Sequence, residues 1–197
     1  RVTIAPELGG RIHSLFDKRI NQEILYRNPV IKPTRILPIW AYISGGIEFN
    51  FPIAHSPTSC FPVGCDMGKS GDYAFVRVGE REARSGMEWV VEIGLKEHLP
   101  VVIQRTSLRN PTDREHPWMM WTNCAVRSTA QTEFIYPAGP AFMHGSVCQD
   151  VRWPDCGLNW ERNINRMVGL FWNQGQGNHF GVFHHDLGFG LLHVADP

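Results

Sequence analysis

The sequence predicts an all-β fold, an antiparallel sandwich or barrel, and two observations carry this prediction. The 197 residues include 19 glycines and 14 prolines, which separate many short stretches in which apolar and polar residues alternate. No stretch has the apolar repeat of about 3.6 residues that marks an amphipathic helix. Because we find no fixed-period repeat, low-complexity tract or linker, we expect a single domain over residues 1–197.

The first third of the chain alternates strand and turn signals. Val2 to Ile4 and Arg11 to Phe16 flank a Gly-Gly turn, which predicts a β-hairpin. Glu23 to Tyr26 predicts a further short strand. Three prolines rule out a helix of useful length in residues 28–40, where we expect a loop or an edge segment.

The middle of the chain contains the clearest strand patterns. Residues 62–71 are rich in Gly, Asp, Lys and Ser, a composition that predicts a loop. Ala74 to Gly79 then predicts a strand. Glu88 to Leu95 and Val101 to Leu108 are rich in Val and Ile with polar residues between them. A short polar turn joins these two stretches, so they are expected to form an antiparallel hairpin.

Strand signals continue through the rest of the chain, interrupted by a loop-rich stretch and one short helical stretch. The expected elements are an aromatic strand at 117–126, a strand at 131–136, mostly loop with short strands at 138–160, a turn or two of helix at 160–167, and two strands with a tight turn near Gly188 at 177–194. Apart from the short helical stretch, these elements agree with an all-β fold.

Composition and charge exclude several classes of function. The 19 basic and 19 acidic residues cancel and form no basic block, so nucleic acid is not expected as a partner. No apolar run reaches the roughly 20 residues of a membrane helix, and we expect neither a membrane partner nor a signal peptide. The five cysteines are odd in number and lack C-x-x-C spacing, which argues against a disulfide framework and a structural zinc site and favours the cytoplasm.

The stretch SGGIEFNFPIAHSP, Ser44 to Pro57, has the highest density of unusual residue types. Its two glycines are expected to adopt positive φ or to press against a neighbouring strand. Glu48, Asn50 and His55 place an acid, an amide and an imidazole within eight residues. A carboxylate and an imidazole together transfer protons near neutral pH, so Glu48 and His55 are the candidate catalytic residues. The alternative is that Glu48 is a paired structural carboxylate and His55 an ordinary turn residue.

Several stretches together resemble one superfamily. The opening VTIAPELGGRIHSLFDKRINQEILYRN, SGGIEFNFPIAHSP, GMEWVVEIGL, the N-P-T at 110–112 and the W-T-N at 121–123 are similar to the galactose mutarotase-like (aldose 1-epimerase-like) superfamily. Within it they resemble an uncharacterised bacterial branch that is often fused to tetratricopeptide repeats. The resemblance covers essentially the whole chain.

The resemblance implies a twisted antiparallel supersandwich whose concave face binds a sugar. In mutarotases two histidines and a glutamate act on the sugar ring, but the matching region around Trp121 to Asn123 contains no histidine. The glutamate belongs to a late strand that would follow Pro197, so we expect a C-terminal part of the sandwich to lie outside this chain, a fragment of a larger protein. Self-association or tetratricopeptide repeats of the full-length protein are then the candidate protein partners.

A carbohydrate ligand needs aromatic platforms and polar partners, and seven tryptophans favour this interpretation. The candidate substrate-binding residues are Asn50, Trp121, Asn123, His144, Trp153, His184 and Asp186. Trp160 is a further candidate platform beside Trp153. The alternative for any single tryptophan is core packing.

No metal or other cofactor is expected. Five of the nine histidines lie in the last 54 residues, yet strand alternation sends His184 and His185 to opposite faces of a sheet.

Two classes of function remain open. One is an enzyme acting at a sugar's anomeric centre, either a mutarotase-like epimerase or a glycoside hydrolase that would pair Glu48 with Asp150, Asp155, Asp186 or Asp196. The other is a non-catalytic carbohydrate-binding or interaction module of a larger protein.

Overall fold

A computed structural model describes residues 1–36, 40–145, 148–172 and 177–195 of this chain. The chain divides into two compact units, Arg1–Val126 (unit 1) and Arg127–Pro197 (unit 2). Regular structure in the described residues is β-strand together with short 3-10 turns, which confirms the all-β prediction. The single-domain expectation stays a prediction. Residues 37–39 and Asp196, both used in predictions, lie outside the described residues.

Unit 1 is built from antiparallel strands. In chain order they are β1 (Val2–Ala5), β2 (Arg11–Asp17), β3 (Gln22–Glu23), β4 (Thr34–Ile36), β5 (Trp40–Tyr42), β6 (Ile47–Asn50), β7 (Gly64–Ser70), β8 (Tyr73–Arg81), β9 (Glu88–Lys96), β10 (Val102–Arg109) and β11 (Trp121–Cys124). One sheet has the order β1-β2-β6-β11 with β3 paired to β2, a second has the order β10-β9-β8-β7, and β4 pairs with β5. Two 3-10 turns, Pro6–Leu8 and Pro57–Cys60, interrupt the connections.

The core of unit 1 follows from alternation on β9. Trp89, Val91 and Ile93 are at most 4% exposed, whereas Val90 between them is 39% exposed. From the first sheet Phe49 meets this face, its ring centroid 6.5 Å from that of Trp89. Apolar faces of two sheets therefore pack together, as in a β-sandwich. The predicted hairpins β1–β2 and β9–β10 are both confirmed.

The prediction of a loop over residues 62–71 is wrong. Gly64–Ser70 is strand β7, paired residue for residue with Tyr73–Arg81 up to Gly79. The second of its two glycines serves a packing purpose, because a Cβ at Gly68 would meet the ring of its cross-strand neighbour Phe75 at 2.5 Å. In the described sheet β7 lies at an edge, where polar and charged residues are common since one face and one side meet solvent.

The aromatic strand predicted at 117–126 is shorter than expected. Only Trp121–Cys124 forms β11, because its partner β6 offers just the four residues Ile47–Asn50. Residues 28–40, expected as loop or edge segment, contribute β4 and the first residue of β5, with no helix in their described part.

Unit 2 contains two small antiparallel sheets. Its strands are β12 (Thr132–Ile135), β13 (Gly139–Gly145), β14 (Gln149–Trp153), β15 (Val168–Phe171), β16 (His179–His184) and β17 (Phe189–Val194), in the orders β12-β16-β17 and β14-β13-β15. The predicted hairpin at 177–194 is confirmed, with its turn at Gly188, where φ is 71°. The helix predicted at 160–167 is reduced to one 3-10 turn, Glu161–Asn163.

The cysteines and the helical turns complete the description of the fold. All five cysteines are free thiols. In the described ranges, none of the helical turns has the length or the apolar character to cross a membrane.

Candidate functional site

Four of the residues predicted from sequence meet on one pair of strands. In the antiparallel pairing of β6 and β11, Glu48 lies opposite Asn123 and Asn50 lies opposite Trp121. Residues two apart on a strand, and residues directly opposite across a pair, share one face of the sheet. The pairing therefore gathers a carboxylate, two amides and an indole into one patch, although 71 positions of sequence separate Asn50 from Trp121.

Glu48 is anchored by Arg11, a residue that the sequence analysis did not select. The carboxylate is 2% exposed, and its Oε2 lies 3.3 Å from Nη2 of Arg11. Its Oε1 accepts a 3.1 Å hydrogen bond from Nδ2 of Asn123. Both carboxylate oxygens thus have partners, and Glu48 is held as a buried, paired carboxylate.

The guanidinium of Arg11 is itself fully engaged. It is 2% exposed and donates from Nη1 to the carbonyls of Ile43 (2.7 Å) and Gly45 (2.8 Å), from Nε to that of Leu8 (3.3 Å) and from Nη2 to that of Ser59 (3.5 Å). Burial lowers the pKa of Arg11, and the nearby carboxylate of Glu48 opposes that shift. A buried charge is tolerated when it is paired and fully hydrogen-bonded, so Arg11 fixes three loop segments and one carboxylate at once.

His55 is the partly accessible member of the cluster. Its side chain is 16% exposed, and its Nδ1 lies 3.3 Å from Oε1 of Glu48. These two atoms are not aligned for a hydrogen bond, and this buried nitrogen has no hydrogen-bond partner among the described residues. The ring stands edge-on to Trp121 (centroids 4.7 Å apart) and to Tyr42 (5.1 Å). Nδ1 is thus the ring nitrogen beside Glu48, and Nε2 is the ring nitrogen left for other contacts.

Asn50 builds the loop that carries His55. It is 0% exposed, and its Oδ1 accepts a 2.8 Å hydrogen bond from the backbone N–H of Ser56. Its Nδ2 is buried without a hydrogen-bond partner in the described part of the chain. His55 itself has a φ of 49°, a left-handed conformation that is uncommon outside glycine and that the fixed loop maintains. Asn50 therefore positions the imidazole, and direct ligand contact by Asn50 stays a prediction.

The prediction for the two glycines is confirmed. Gly45 and Gly46 have φ values of 99° and 74°. A Cβ on Gly46 would lie less than 3.0 Å from the backbone oxygen of Ile12, closer than real Cβ atoms approach. Gly46 lets the chain turn tightly against β2, and this close approach brings β6 with Glu48 beside Arg11.

The other predicted site residues lie in unit 2 and do not form one cluster there. Trp153 is 3% exposed and packs edge-on against Tyr136 and Trp172, which is core packing. The ring of His144 covers its cross-strand neighbour Gly169 and lies 4.6 Å from that of Phe171. Trp153 is therefore a core residue, whereas His144 is exposed, and the ligand roles of both stay predictions.

His184 and Asp186 flank the end of β16. His184 is 1% exposed, its Nδ1 lies 2.8 Å from the hydroxyl of Thr132, and burial lowers its pKa. Asp186 accepts a 3.1 Å hydrogen bond from the hydroxyl of Thr129. As alternation predicts, the neighbouring His185 is on the opposite side, 43% exposed and bonded to a surface glutamate. His184 is thus a hydrogen-bonded core histidine.

The remaining candidates are also distributed over the surface of unit 2. Trp160 is covered by the guanidinium of Arg162, 4.1 Å from its ring centroid, and by the ring of His185. Asp155 lies 3.6 Å from Arg152, and Asp150 lies on β14. Among the described residues, no three His, Cys, Asp or Glu side chains gather closely enough to hold a metal ion.

Two cavities lie away from the cluster of Glu48 and His55. One, of about 400 Å³, lies in unit 1 between β1 and the β7–β9 face and is lined mainly by apolar side chains such as Ile4, Met67 and Ile93. The other, of about 150 Å³, lies in unit 2 and is lined by residues such as Tyr136 and Leu170. Neither cavity is lined by Glu48, His55 or Trp121.

Arg11 and Tyr42 are the members of the cluster that sequence reasoning missed. A basic residue beginning an apolar strand directly after a Gly-Gly turn was the available signal for Arg11. Tyr42 stands two residues before Ser44, outside the selected stretch. Both join the site only through folding.

Comparison with known proteins gives two findings. A family model described as Domain of unknown function (DUF5107) matches residues 1–197. The crystal structure of a TPR-domain containing protein from Parabacteroides distasonis ATCC 8503 is similar to 99% of the present chain, with 40% sequence identity and a TM-score of 0.94. The chain spans 34% of the length of that protein.

Proposed function

This chain belongs to the family described as Domain of unknown function (DUF5107), and from that premise we propose that unit 1 recognises a carbohydrate at the cluster of His55, Trp121, Asn123 and Tyr42. The observation that carries the proposal is the edge-on contact of His55 with Trp121, directly in front of the buried Glu48. Sugars bind where an aromatic face meets a small number of fixed polar groups, since their C–H faces stack and their hydroxyls need hydrogen-bond partners.

The resemblance of SGGIEFNFPIAHSP to the galactose mutarotase-like superfamily supports the same ligand class, because this motif supplies Glu48, Asn50 and His55. A non-catalytic binding module is the form of the proposal that the geometry favours. Glu48 is 2% exposed and both of its oxygens are engaged, so it does not stand free to take a proton from a sugar hydroxyl. The contacts of Glu48 with Arg11, Asn123 and His55 suit a residue that orients neighbouring side chains.

A mutarotase-like epimerase is the second candidate function. The observation in its favour is the juxtaposition of an imidazole and a carboxylate, 3.3 Å apart, with the other imidazole nitrogen left for other contacts. A carboxylate beside one imidazole nitrogen orients the ring, so that the other nitrogen can exchange a proton with a ligand. In this version His55 is the catalytic residue and Glu48 assists it.

We further propose that the chain acts as one part of a longer protein with tetratricopeptide repeats. The similar crystal structure is of a TPR-domain containing protein, of which this chain covers 34%. A sugar-recognising domain in such a protein would bring a glycan to partners bound by the repeats. Sequencing the complete gene tests this point, because a gene product without a repeat of about 34 residues would contradict it.

Calorimetry with D-galactose, D-glucose, L-arabinose and their oligosaccharides tests the binding proposal. We expect at least one ligand to bind, and Trp121→Ala to weaken it about tenfold, the loss of roughly 1.4 kcal/mol of stacking. Trp118→Ala is the matched control, since Trp118 is 61% exposed on the segment before β11 and its ring packs against Phe51. Absence of binding across the panel, or equal losses in the two variants, would refute the site.

NMR of the anomeric protons separates the two candidates. Interconversion of the anomers accelerated by the protein, and abolished in His55→Gln, would assign the epimerase reaction to His55. Binding without any acceleration supports the non-catalytic module.

A further inference from the structure

We infer that Arg11, acting through Glu48, fixes the neutral tautomer of His55 with its proton on Nδ1, so that Nε2 is a hydrogen-bond acceptor for a ligand hydroxyl. The part concerning the ligand rests on the proposed carbohydrate site. Arg11 is a positioning residue in this scheme, because its hydrogen bonds go to Glu48 and to backbone carbonyls.

The first step is the orientation of the carboxylate. Arg11 donates to carbonyls of Leu8, Ile43, Gly45 and Ser59, which prevents the guanidinium from following any movement of Glu48. A guanidinium has only donors, so the oxygen facing it must be an acceptor. Oε2 of Glu48 is thereby assigned to Arg11 at 3.3 Å, and Oε1 is left to face Asn123 and His55.

The second step is the choice of tautomer. Nδ1 of His55 lies 3.3 Å from Oε1 of Glu48 and has no hydrogen-bond partner in the described residues. Although the two atoms are not aligned for a hydrogen bond, the negative charge of Glu48 at this distance repels a lone pair on a buried Nδ1 and attracts the positive end of an N–H there. The tautomer of a histidine is set by what its ring nitrogens face, so the proton resides on Nδ1.

The third step concerns the ligand. With the proton on Nδ1, the neutral ring presents only a lone pair at Nε2. The group that binds there must donate a hydrogen bond, as a sugar hydroxyl does, and a carbonyl or ether oxygen is disfavoured. The Arg11–Glu48 pair thus selects the ligand chemistry without touching the ligand.

Two-bond ¹H–¹⁵N correlation spectra of the ¹⁵N-histidine-labelled protein, without sugar, test the inference. Spectra are recorded at about pH 9, above the ordinary imidazole pKa of about 6.5, and the signals of His55 are those missing in His55→Gln. We expect Nδ1 protonated and Nε2 unprotonated in the wild type. A protonated Nε2 in the wild type would overturn the inference without reference to any variant.

Glu48→Gln provides the sharpest variant because it keeps the shape of the side chain. Arg11 can only donate, so the carbonyl oxygen of the introduced amide must face Arg11 and its NH₂ group must face His55. Nδ1 then has to accept, and the proton is expected to move to Nε2, with at least a tenfold change in the tautomer ratio. An unchanged tautomer in this variant would overturn the inference.

Arg11→Lys and Asn123→Ala complete the design. Lysine keeps the positive charge, but its ammonium group cannot reproduce the planar set of five guanidinium donors that orients Glu48. We therefore expect the share of His55 protonated on Nδ1 to fall in Arg11→Lys. If that share stays at the wild-type level, Arg11 is not a positioning residue. Asn123→Ala removes the other donor to Oε1 of Glu48 and should leave the proton of His55 on Nδ1. Loss of that proton from Nδ1 in Asn123→Ala would contradict the scheme. Since all spectra are recorded without sugar, failure of sugar binding and failure of the tautomer assignment are separate outcomes.

Discussion

Gly46→Ala tests whether the tight turn before β6 holds the candidate site together. Gly46 has a φ of 74°, and a Cβ there would lie less than 3.0 Å from the backbone oxygen of Ile12. A backbone atom cannot rotate away as a flexible side chain can. The substitution must therefore push β6 away from β2, at the point where Ile47 pairs with Ile12.

The expected cost has two parts. An alanine held at left-handed φ costs about 1–2 kcal/mol, offset by about 0.4–1 kcal/mol from the reduced freedom of the unfolded chain. Forcing atoms into occupied space adds about 1–3 kcal/mol. We expect Gly46→Ala to lower the free energy of unfolding by about 1–5 kcal/mol.

Gly71→Ala is the matched control. Gly71, between β7 and β8, has a φ of 58° and no atom within 4 Å of the position of an added Cβ. Gly71→Ala has only the cost of an alanine at left-handed φ and no steric clash. Its loss of stability should therefore be smaller than that of Gly46→Ala by about 1–3 kcal/mol. Urea unfolding followed by circular dichroism measures both variants, and equal losses would refute the close-approach argument.

Two further predictions concern titratable groups. His184 is buried beside Thr132 with its pKa lowered by burial, so the unfolded chain binds the proton more readily than the folded chain does. Stability is therefore expected to fall as the pH drops below the unfolded value of about 6.5, and His184→Gln should flatten that slope in unfolding experiments between about pH 8 and pH 5; an unaltered slope would contradict the assignment. Burial raises the pKa of the Cys124 thiol to about 12, so native labelling with iodoacetamide followed by mass spectrometry should modify the exposed Cys65 and leave Cys124 intact. Equal labelling of both thiols would show that Cys124 is not protected.

The role of Glu48 changes most between sequence and structure. In the sequence it is the one carboxylate close to His55, which suggested an acid–base pair. The structure instead shows both of its oxygens engaged, by Arg11 and Asn123, with the imidazole beside it. An arginine 37 positions earlier in the chain decides this role, and no local pattern around Glu48 indicates that partner.

Strand predictions held where the pattern is local. The alternation of β9 and the hairpin around Gly188 depend on side chains that face a core, and the sequence alone reveals them. The prediction failed at β7, whose Gly, Asp and Lys residues carry no strand pattern. Pairing with β8 along its whole length makes it a strand, and such pairing is a property of the neighbour as much as of the segment.

The sequence by itself determined the all-β class, most of the strands, and the residue types of the candidate site, because alternation, turn residues and unusual polar residues are local signals. Only the tertiary structure decided which of those residues meet. It set Glu48 and Asn50 against Asn123 and Trp121 through strand register, and it added Arg11 and Tyr42 from other segments. It also made Trp153 and His184 buried residues of unit 2. Register and long-range pairing depend on the whole chain at once, and for that physical reason no single stretch could reveal them.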